Sequence, residues 1–497
     1  MKQRLQNISN WLIKYPLFLG LLPIFFVLHG FTENFSLIKP TDATLLLLTY
    51  FLATGILVLL CRLLFRNWVK AMLMAAFLMA IQFFFGGVHD ALRNSFPGTF
   101  ISKYSFVLPL ILIMISTVYI LLRRRRNSFQ RLFLYLNILF ILLIVIDISV
   151  LSGKAIKINK SGLAALPTGM TNCQNCPSPD VFVIITDEYA GEFELNEVFQ
   201  FDNSPFYLEL EKRKFHRVRQ SSSNYNFTPY SIASTLDMNY LGDSTMGGRT
   251  SLIETYKTIR SNRLLNFLQQ HNYKFYNYSS FDFDGQPALT RETFLPVSTK
   301  LISGQTLLSR MEKEMRYHLV TTLKSKNELK KYVYYNRNNN EKLYDLTKTM
   351  AATKLNQPKF VLTHLMLPHY PYYYDKNGKE FPLETLVEGQ QVNQRNYIEY
   401  LQYANREIIA LIDHILASSA SLPVIILMGD HGFRHFENPV DPRNIFSNLV
   451  AVHLPGDNYA AFGDSLTNVN LMRAFLNTSF GQRLPYLKDT TIIMDNP

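Results

Sequence analysis

Two segments of this chain carry an apolar run straight into acid. "VFVIITDEY" runs from Val181 into Asp187 and Glu188, and "VIILMGDHG" runs from Val424 into Gly429, Asp430 and His431. A third run, "KFVLTHLMLPHYPYYYD", carries His364 and His369. Each apolar run has the length and β-branched content of a buried strand, so the polar groups stand where the chain leaves a sheet. Carboxylates and imidazoles delivered to one sheet edge from separate strands can converge on a divalent cation. At His364 and His369, neutral imidazole can hold a second cation, whereas cationic imidazole can neutralise a phosphoryl oxygen. One aspartate after a strand is an ordinary loop or cap residue. Two such endings, one of them an Asp-His pair between glycines, point to a site.

A cation there gives meaning to "SSSNYNFTPYSIASTLDMNYL" at 221–241, where Thr228 stands before Pro229 and a helix-like run. A free threonine hydroxyl is a poor nucleophile at neutral pH. Beside a divalent cation its pKa falls, and the charge of an incoming phosphate is offset. A helix start adds free N–H groups that suit a phosphate. The same residue types also cap ordinary helices. Local sequence leaves both roles open for Thr228, while Ser231 and Ser234, which follow at near-helical spacing, could cap or line the helix.

The elements that must position these residues read as an α/β domain from Asp180 onward. Short apolar runs at 181–186, 274–278, 359–364, 423–428 and 449–454 alternate with helical patterns such as 251–271 and 397–419. Alternation of this kind predicts a mostly parallel sheet covered on both faces.

Before residue 152 the texture differs. Five apolar runs, Pro16–Phe31, Ala43–Phe65, Val69–Val88, Phe106–Leu122 and Leu132–Leu151, predict a five-helix transmembrane bundle. Arg123–Arg126, the group Arg62, Arg66 and Lys70, and the group Lys2, Arg4 and Lys14 mark three cytoplasmic segments. The positive-inside rule then places the N-terminus in the cytoplasm and everything after Leu151 outside. The first run lacks a small-residue cleavage site and reads as a retained helix. The expected domains are therefore 1–151 in the membrane, a linker at 152–179, and an extracytoplasmic catalytic domain at 180–497.

The net charge of +12 is partly explained by the cytoplasmic anchors. A second basic stretch, Arg310 to Lys342, reads either as a solvated surface insertion or as a segment near anionic headgroups, where each Lys or Arg contributes about 1 kcal/mol. Nucleic acid is not an expected partner outside the cell. Of the three cysteines, Cys61 falls inside a predicted span, and Cys173 and Cys176 form a C-x-x-C in the linker. No further zinc ligands stand nearby, and a local disulfide suits an oxidising compartment.

Taken together, the strand ending in Asp187, "NYNFTPYSIASTL", "HLMLPHYPYYY" and "MGDHGFR" resemble, in order and over nearly all of 180–455, the alkaline phosphatase/sulfatase superfamily. Within it they resemble the membrane-anchored branch of lipid A phosphoethanolamine transferases and lipoteichoic acid synthases. The resemblance implies a sulfatase-like (alkaline-phosphatase-like) fold with Asp187, Asp430 and His431 as metal ligands. It implies Thr228 as the metal-bound nucleophile that takes the transferred group covalently, with His364 and His369 flanking that group. Glu188, Arg434 and His435 are further candidates, since the transferases usually have Glu at the first ligand position and a histidine soon after the Asp-His pair. "YIEYLQYANREI", with Tyr397, Tyr400 and Tyr403, resembles the helix that leads to the Asp-His strand.

The sulfatase pattern of Cys or Ser followed by x-Pro-x-Arg is missing, since the chain reads Thr-Pro-Tyr-Ser from Thr228. That counts against a formylglycine enzyme. The expectation is a metal-dependent transferase in the cytoplasmic membrane, moving a phosphoryl-linked headgroup from a phospholipid donor to a lipid or glycan acceptor. Oxygen and imidazole donors suit Zn²⁺ or Mn²⁺ ahead of Mg²⁺. The alternative is a phosphate- or sulfate-ester hydrolase of the same fold.

Overall fold

The computed structural model describes residues 11–125, 129–160, 170, 178–241, 249–290, 293–296, 299–323, 325–386 and 393–494. Lys2, Arg4, Arg126, most of the 152–179 linker, and both Cys173 and Cys176 lie outside the described residues. The third cysteine, Cys61, is buried and free. The chain forms two compact units, one of Met1–Ser161 with Pro296–Lys324, the other of Gly162–Leu295 with Ser325–Pro497.

The first unit holds α1 (Phe18–Glu33), α2 (Pro40–Phe65), α3 (Trp68–Ser95), α4 (Tyr104–Arg124) and α5 (Gln130–Lys160). Helices α2 to α5 are long and apolar enough to cross a membrane. Helix α1 is also apolar but has only 16 residues. At 1.5 Å per residue it covers roughly 24 Å, short of a bilayer core of about 30 Å. Five spans were expected; four full-length helices and a shorter fifth are found. The cause lies at Pro16, which has no N–H to donate and disfavours helix in the residue before it. Asn137 of α5, fully buried, fills the resulting break. Its Oδ1 accepts from Phe18 N at 2.7 Å, and its Nδ2 donates to the carbonyls of Leu12 and Tyr15 at 2.8 Å each.

The basic stretch Arg310–Lys342, expected as one surface segment, is divided between the units. Its first part belongs to a helix, Leu307–Thr321, that packs on α3 within the first unit. Just before it, Ile302 is buried in the bundle core, and Gly86 N of α3 donates to the Gln305 carbonyl at 2.8 Å. A Cβ at Gly86 would stand 2.9 Å from Gln305 Cα, so a glycine is needed for that approach.

The second unit is built on a six-stranded sheet of order β2-β7-β6-β1-β5-β4. The strands are β1 (Val181–Thr186), β2 (His216–Arg217), β4 (Lys274–Tyr278), β5 (Lys359–Leu365), β6 (Val424–Gly429) and β7 (Val450–His453). β6, β1, β5 and β4 run parallel, while β7 and β2 form an antiparallel edge. Every residue of β1, β5, β6 and β7 is buried, as expected of strands covered on both faces. A separate parallel pair joins β3 (Gln220–Ser222) to β8 (Ser465–Thr467).

The helices that matter for the site are α6 (Thr228–Asp237), α7 (Tyr335–Ala352), α8 (Gln394–Ser418) and α9 (Asn468–Phe480). The helical pattern at 251–271 is two helices rather than one, because the Asn262 side chain accepts from Leu265 N at 3.0 Å and starts the second.

Replacing Asn137 tests the repaired break in the first unit. Asn137→Leu leaves the buried Phe18 N–H without its acceptor, at a cost of about 1–3 kcal/mol, and removes a donor from the carbonyls of Leu12 and Tyr15. The expected result is a lower denaturation midpoint of the helical unit in detergent; an unchanged midpoint contradicts it.

Candidate active site

Register brings the chemistry to one edge. Thr186 at the end of β1 lies level with Leu365 of β5 on one side and Gly429 of β6 on the other. The next residues, Asp187 and Asp430, therefore emerge side by side, with His364 beside them on β5. His364 Nε2 lies 3.3 Å from Asp187 Oδ2. Its ring lies against the stacked pair Phe281 and Phe294, with centroids 5.8 and 6.0 Å away, which restricts its plane.

Asp430 is held on one side only. Its Oδ1 accepts from Glu188 N at 2.9 Å and His431 N at 2.8 Å, while Oδ2 approaches His431 Nε2 at 3.2 Å. The Asp430 carbonyl is pinned by Ser231 Oγ at 2.6 Å and by Asn468 Nδ2 at 3.2 Å. His431 Nδ1 lies 2.8 Å from the Gly432 carbonyl, an acceptor that fixes the proton there and leaves Nε2 with its lone pair free. Gly432 has no room for a side chain, because a Cβ would stand 2.6 Å from the Asn444 carbonyl.

Thr228 is the first residue of α6. The residue before it, Phe227, is the N-cap, and no side chain caps the helix. The Thr228 hydroxyl instead reaches His431 Nε2 at 3.2 Å and is 3 % exposed. The capping role left open by sequence goes to neither Thr228 nor the serines. Ser231 supports Asp430, and Ser234 bonds back to the Ser231 carbonyl.

Glu188 points elsewhere. Its φ of 59° is in the left-handed region, unusual for a residue with a side chain. Its N–H on Asp430 and its carbonyl, which accepts from Tyr397 OH at 2.8 Å, hold it there. This turn sends neighbouring carboxylates to different groups of ligands. Asp187, His364 and Asp430 form one; Glu188, His369 and His435 form the other. His435 Nε2 lies 3.0 Å from Glu188 Oε1, His369 Nε2 lies 3.8 Å from Oε2, and Arg434 Nε lies 3.4 Å from Oε1. His364 and His369, expected as a pair, are thus divided between the two groups.

The donor chemistry suits divalent cations. Both oxygens of Asp187, both of Glu188, Asp430 Oδ2, both ring nitrogens of His364 and Nε2 of His435 are buried without a hydrogen-bond partner. Orphaned polar atoms of this density are costly unless something neutralises them. Burial pushes the Asp187 carboxyl up, but the imidazoles of His369, His364 and His431 outweigh it and hold Asp187 below the usual range. Burial and the adjacent Asp187 charge push Asp430 up against His431 and His364. Burial also opposes ionisation of Glu188, and His369, His435 and Arg434 overcome it.

Residues that sequence reasoning missed form the supports. Tyr397 was noted only as part of a helix, yet its hydroxyl also accepts from Ala190 N at 2.9 Å. Asn468 and Asn448, bonded to each other at 3.0 Å, brace the Gly429–Asp430 turn. Glu194 accepts from Phe433 N at 3.1 Å, and burial pushes its carboxyl well up. The one sequence signal for Asn468 was a polar residue opening an apolar helix.

The sequence model of the Sulfatase family matches residues 179–476, more than half of the chain, and spans both acid-ending strands and the threonine helix. The chain belongs to the sulfatase family. Its second unit is a sulfatase-like α/β domain of the alkaline phosphatase superfamily, and no curated protein matches the sequence. Among solved structures, this sulfatase-family chain is similar to the C-terminal periplasmic domain of EcEptC from Escherichia coli. Identity is 13 %, coverage is 63 % of this chain and 86 % of that one, and the TM-score is 0.40. It is also similar to the corresponding domain of phosphoethanolamine transferase EptC from Campylobacter jejuni, at 13 % identity, 62 % and 91 % coverage and a TM-score of 0.37. A third similarity is to phosphonate monoester hydrolase of Agrobacterium radiobacter, at 10 % identity, 61 % and 74 % coverage and a TM-score of 0.38.

A divalent metal fits the family and the donor set, and its removal is measurable. Stripping the detergent-solubilised protein with chelator is expected to lower its thermal midpoint, with recovery on adding Zn²⁺. Asp430→Ala is expected to abolish the recovery. Uncompensated buried charge of this kind costs about 3–5 kcal/mol. A midpoint unmoved by chelator, with metal analysis showing none bound beforehand, contradicts the metal reading.

Proposed function

We propose that this protein is a membrane-anchored transferase. It moves a phosphoryl-linked headgroup from a phospholipid to an extracytoplasmic lipid or glycan hydroxyl. The observation that carries the reading is the Thr228 hydroxyl, buried 3.2 Å from His431 Nε2 among carboxylates, in a chain that also holds four membrane-length apolar helices. In this reading α1 to α5 are five crossings of the cytoplasmic membrane, and the domain after the linker works outside.

Asp187, Asp430 and His431, together with the Thr228 hydroxyl, would hold one divalent cation, with His364 beside them. Glu188, His369 and His435 have the donors for a second. Zn²⁺ and Mn²⁺ suit these mixed oxygen and nitrogen donors better than Mg²⁺. When bound, such a cation supplies a lowered hydroxyl pKa and neutralises phosphate charge.

The chain does the rest. Thr228 Oγ1 attacks phosphorus, the bond from phosphorus to the diacylglycerol oxygen breaks, and the headgroup is left on the threonine as a phosphodiester. A proton leaves Thr228, and one must reach the departing diacylglycerol oxygen. Where no second cation occupies them, the partly exposed imidazoles of His369 and His435 would carry these protons at the rim. The acceptor hydroxyl then attacks the same phosphorus, restoring Thr228. Burial of Thr228 limits competing attack by water, which favours an acceptor other than water.

The test follows the headgroup. In vesicles containing phospholipid with a labelled headgroup and a mixed pool of envelope acceptors, label is expected on an acceptor, with diacylglycerol formed in equal amount. Thr228→Ala is expected to reduce both by about 10³-fold or more. Release of the label as free phosphorylated headgroup, with acceptor present and untouched, favours the hydrolase instead.

A further inference from the structure

The helix Leu307–Thr321 carries a feature that the catalytic reading does not use. Leu308, Met315 and Leu319 follow at intervals of seven and four, so they share one face, and Leu323 continues the row in the turn beyond. All four are exposed, from 38 % at Leu319 to 71 % at Leu323. Arg310, two residues after Leu308, points the opposite way and clamps Asp90 of α3 with both guanidinium nitrogens, at 3.0 and 2.7 Å. The apolar face is therefore turned away from the helix that holds it. Glu312, four residues after Leu308 and three before Met315, interrupts the row, and its carboxylate is paired with Arg316 at the row's edge at 2.8 Å.

Where the helix is held decides what that face meets. The chain approaches it through Gln305, bonded to Gly86, two residues before the end of the apolar run Val69–Val88. Leu308 N then donates to the Gln82 side chain at 3.3 Å, one further turn into that run. Asp90 lies just past the run's end. These contacts put the start of the helix at the boundary between hydrocarbon and headgroups. Exposed apolar residues of the neighbouring helix ends, Val88 of α3 and Phe100 before α4, stand at the same boundary.

We infer that Leu307–Thr321 is an interfacial helix whose Leu308–Met315–Leu319–Leu323 face is buried in the outer leaflet of the lipid bilayer. A helix lying in the membrane surface would set Leu308, Met315, Leu319 and Leu323 at the acyl boundary and keep the Glu312–Arg316 pair at headgroup level. Because the segment departs from the second unit after Leu295 and returns to it at Ser325, it would give that unit a second attachment to the membrane, besides the linker. The inference rests on the membrane reading of α2 to α5 and not on the transferase reading.

Tryptophan fluorescence in vesicles of phosphatidylcholine and phosphatidylglycerol tests it, using full-length protein. The two native tryptophans, Trp11 and Trp68, are replaced as Trp11→Phe and Trp68→Phe, and Leu319→Trp is added. Loss of emission when the phosphatidylcholine chains are brominated, with weak quenching by aqueous acrylamide, is the expected result. Equal emission in both lipids overturns the inference, whether acrylamide quenches strongly (a face in water) or weakly (a face covered by protein or a second copy). Leu323→Trp reads the same face if Leu319→Trp disturbs the helix. A chain keeping only Trp68, at the start of α3, separates the two readings: its quenching by brominated lipid reports the membrane helices whatever the inserted helix does.

Discussion

Repulsion among three buried carboxylates is the constraint around which the catalytic unit is organised. Parallel strands in register deliver Asp187 and Asp430 to adjacent positions, and Glu188 follows at once. Left to themselves, such charges would be unstable by several kcal/mol each. The fold answers in two ways. It anchors the backbone that carries them: Asp430 Oδ1 accepts from two backbone N–H groups and the Asp430 carbonyl is held by Ser231 and Asn468, while Glu188 sits in a left-handed turn that Tyr397 holds from α8. It also surrounds them with His364, His369, His431, His435 and Arg434. A hydroxyl placed in that field, as Thr228 is, stands where positive charge on ligand-bound cations would act on it most strongly.

Much of this was legible in the sequence for a physical reason. Strands buried on both faces must be continuously apolar, so β1, β5 and β6 announce themselves, and so do the polar residues at which they stop. Asp187, Asp430 and His431 stand at such boundaries, whereas Thr228 was read from the polar segment that opens a helix. Their grouping was not legible. His364 and His369 are close in sequence, but one is still on β5 while the other lies in the loop beyond, so they fall in different groups of candidate ligands. The supports Asn468 and Tyr397 come from helices far along the chain and carry no local pattern. Strands β2, β3 and β8, of two or three residues, are too short to show a period.

The membrane part repeats the lesson. Apolar length was enough to find α2 to α5, yet the break at Pro16 and its repair by Asn137 depend on a contact between distant helices. The basic stretch after residue 310 read as one segment, either solvated or near anionic headgroups, because charge alone was read. Its partner, Asp90, stands 220 residues earlier, and only the fold shows that the charge on Arg310 is used for docking while the apolar residues face outward. The chain passes between its two units after Ser161, after Leu295 and after Lys324, so the catalytic unit is joined to the helical unit by three connections.

The central claim is that one hydroxyl becomes covalently loaded. Its most direct measurement is peptide mass spectrometry of the purified protein, quenched in acid after brief exposure to mixed membrane phospholipids without an acceptor. A mass increment equal to a phosphoryl headgroup on the peptide containing Thr228 is the predicted result, and its size would name the headgroup. Turnover of lipid with Thr228 unmodified throughout, or an increment on another residue, would contradict the claim.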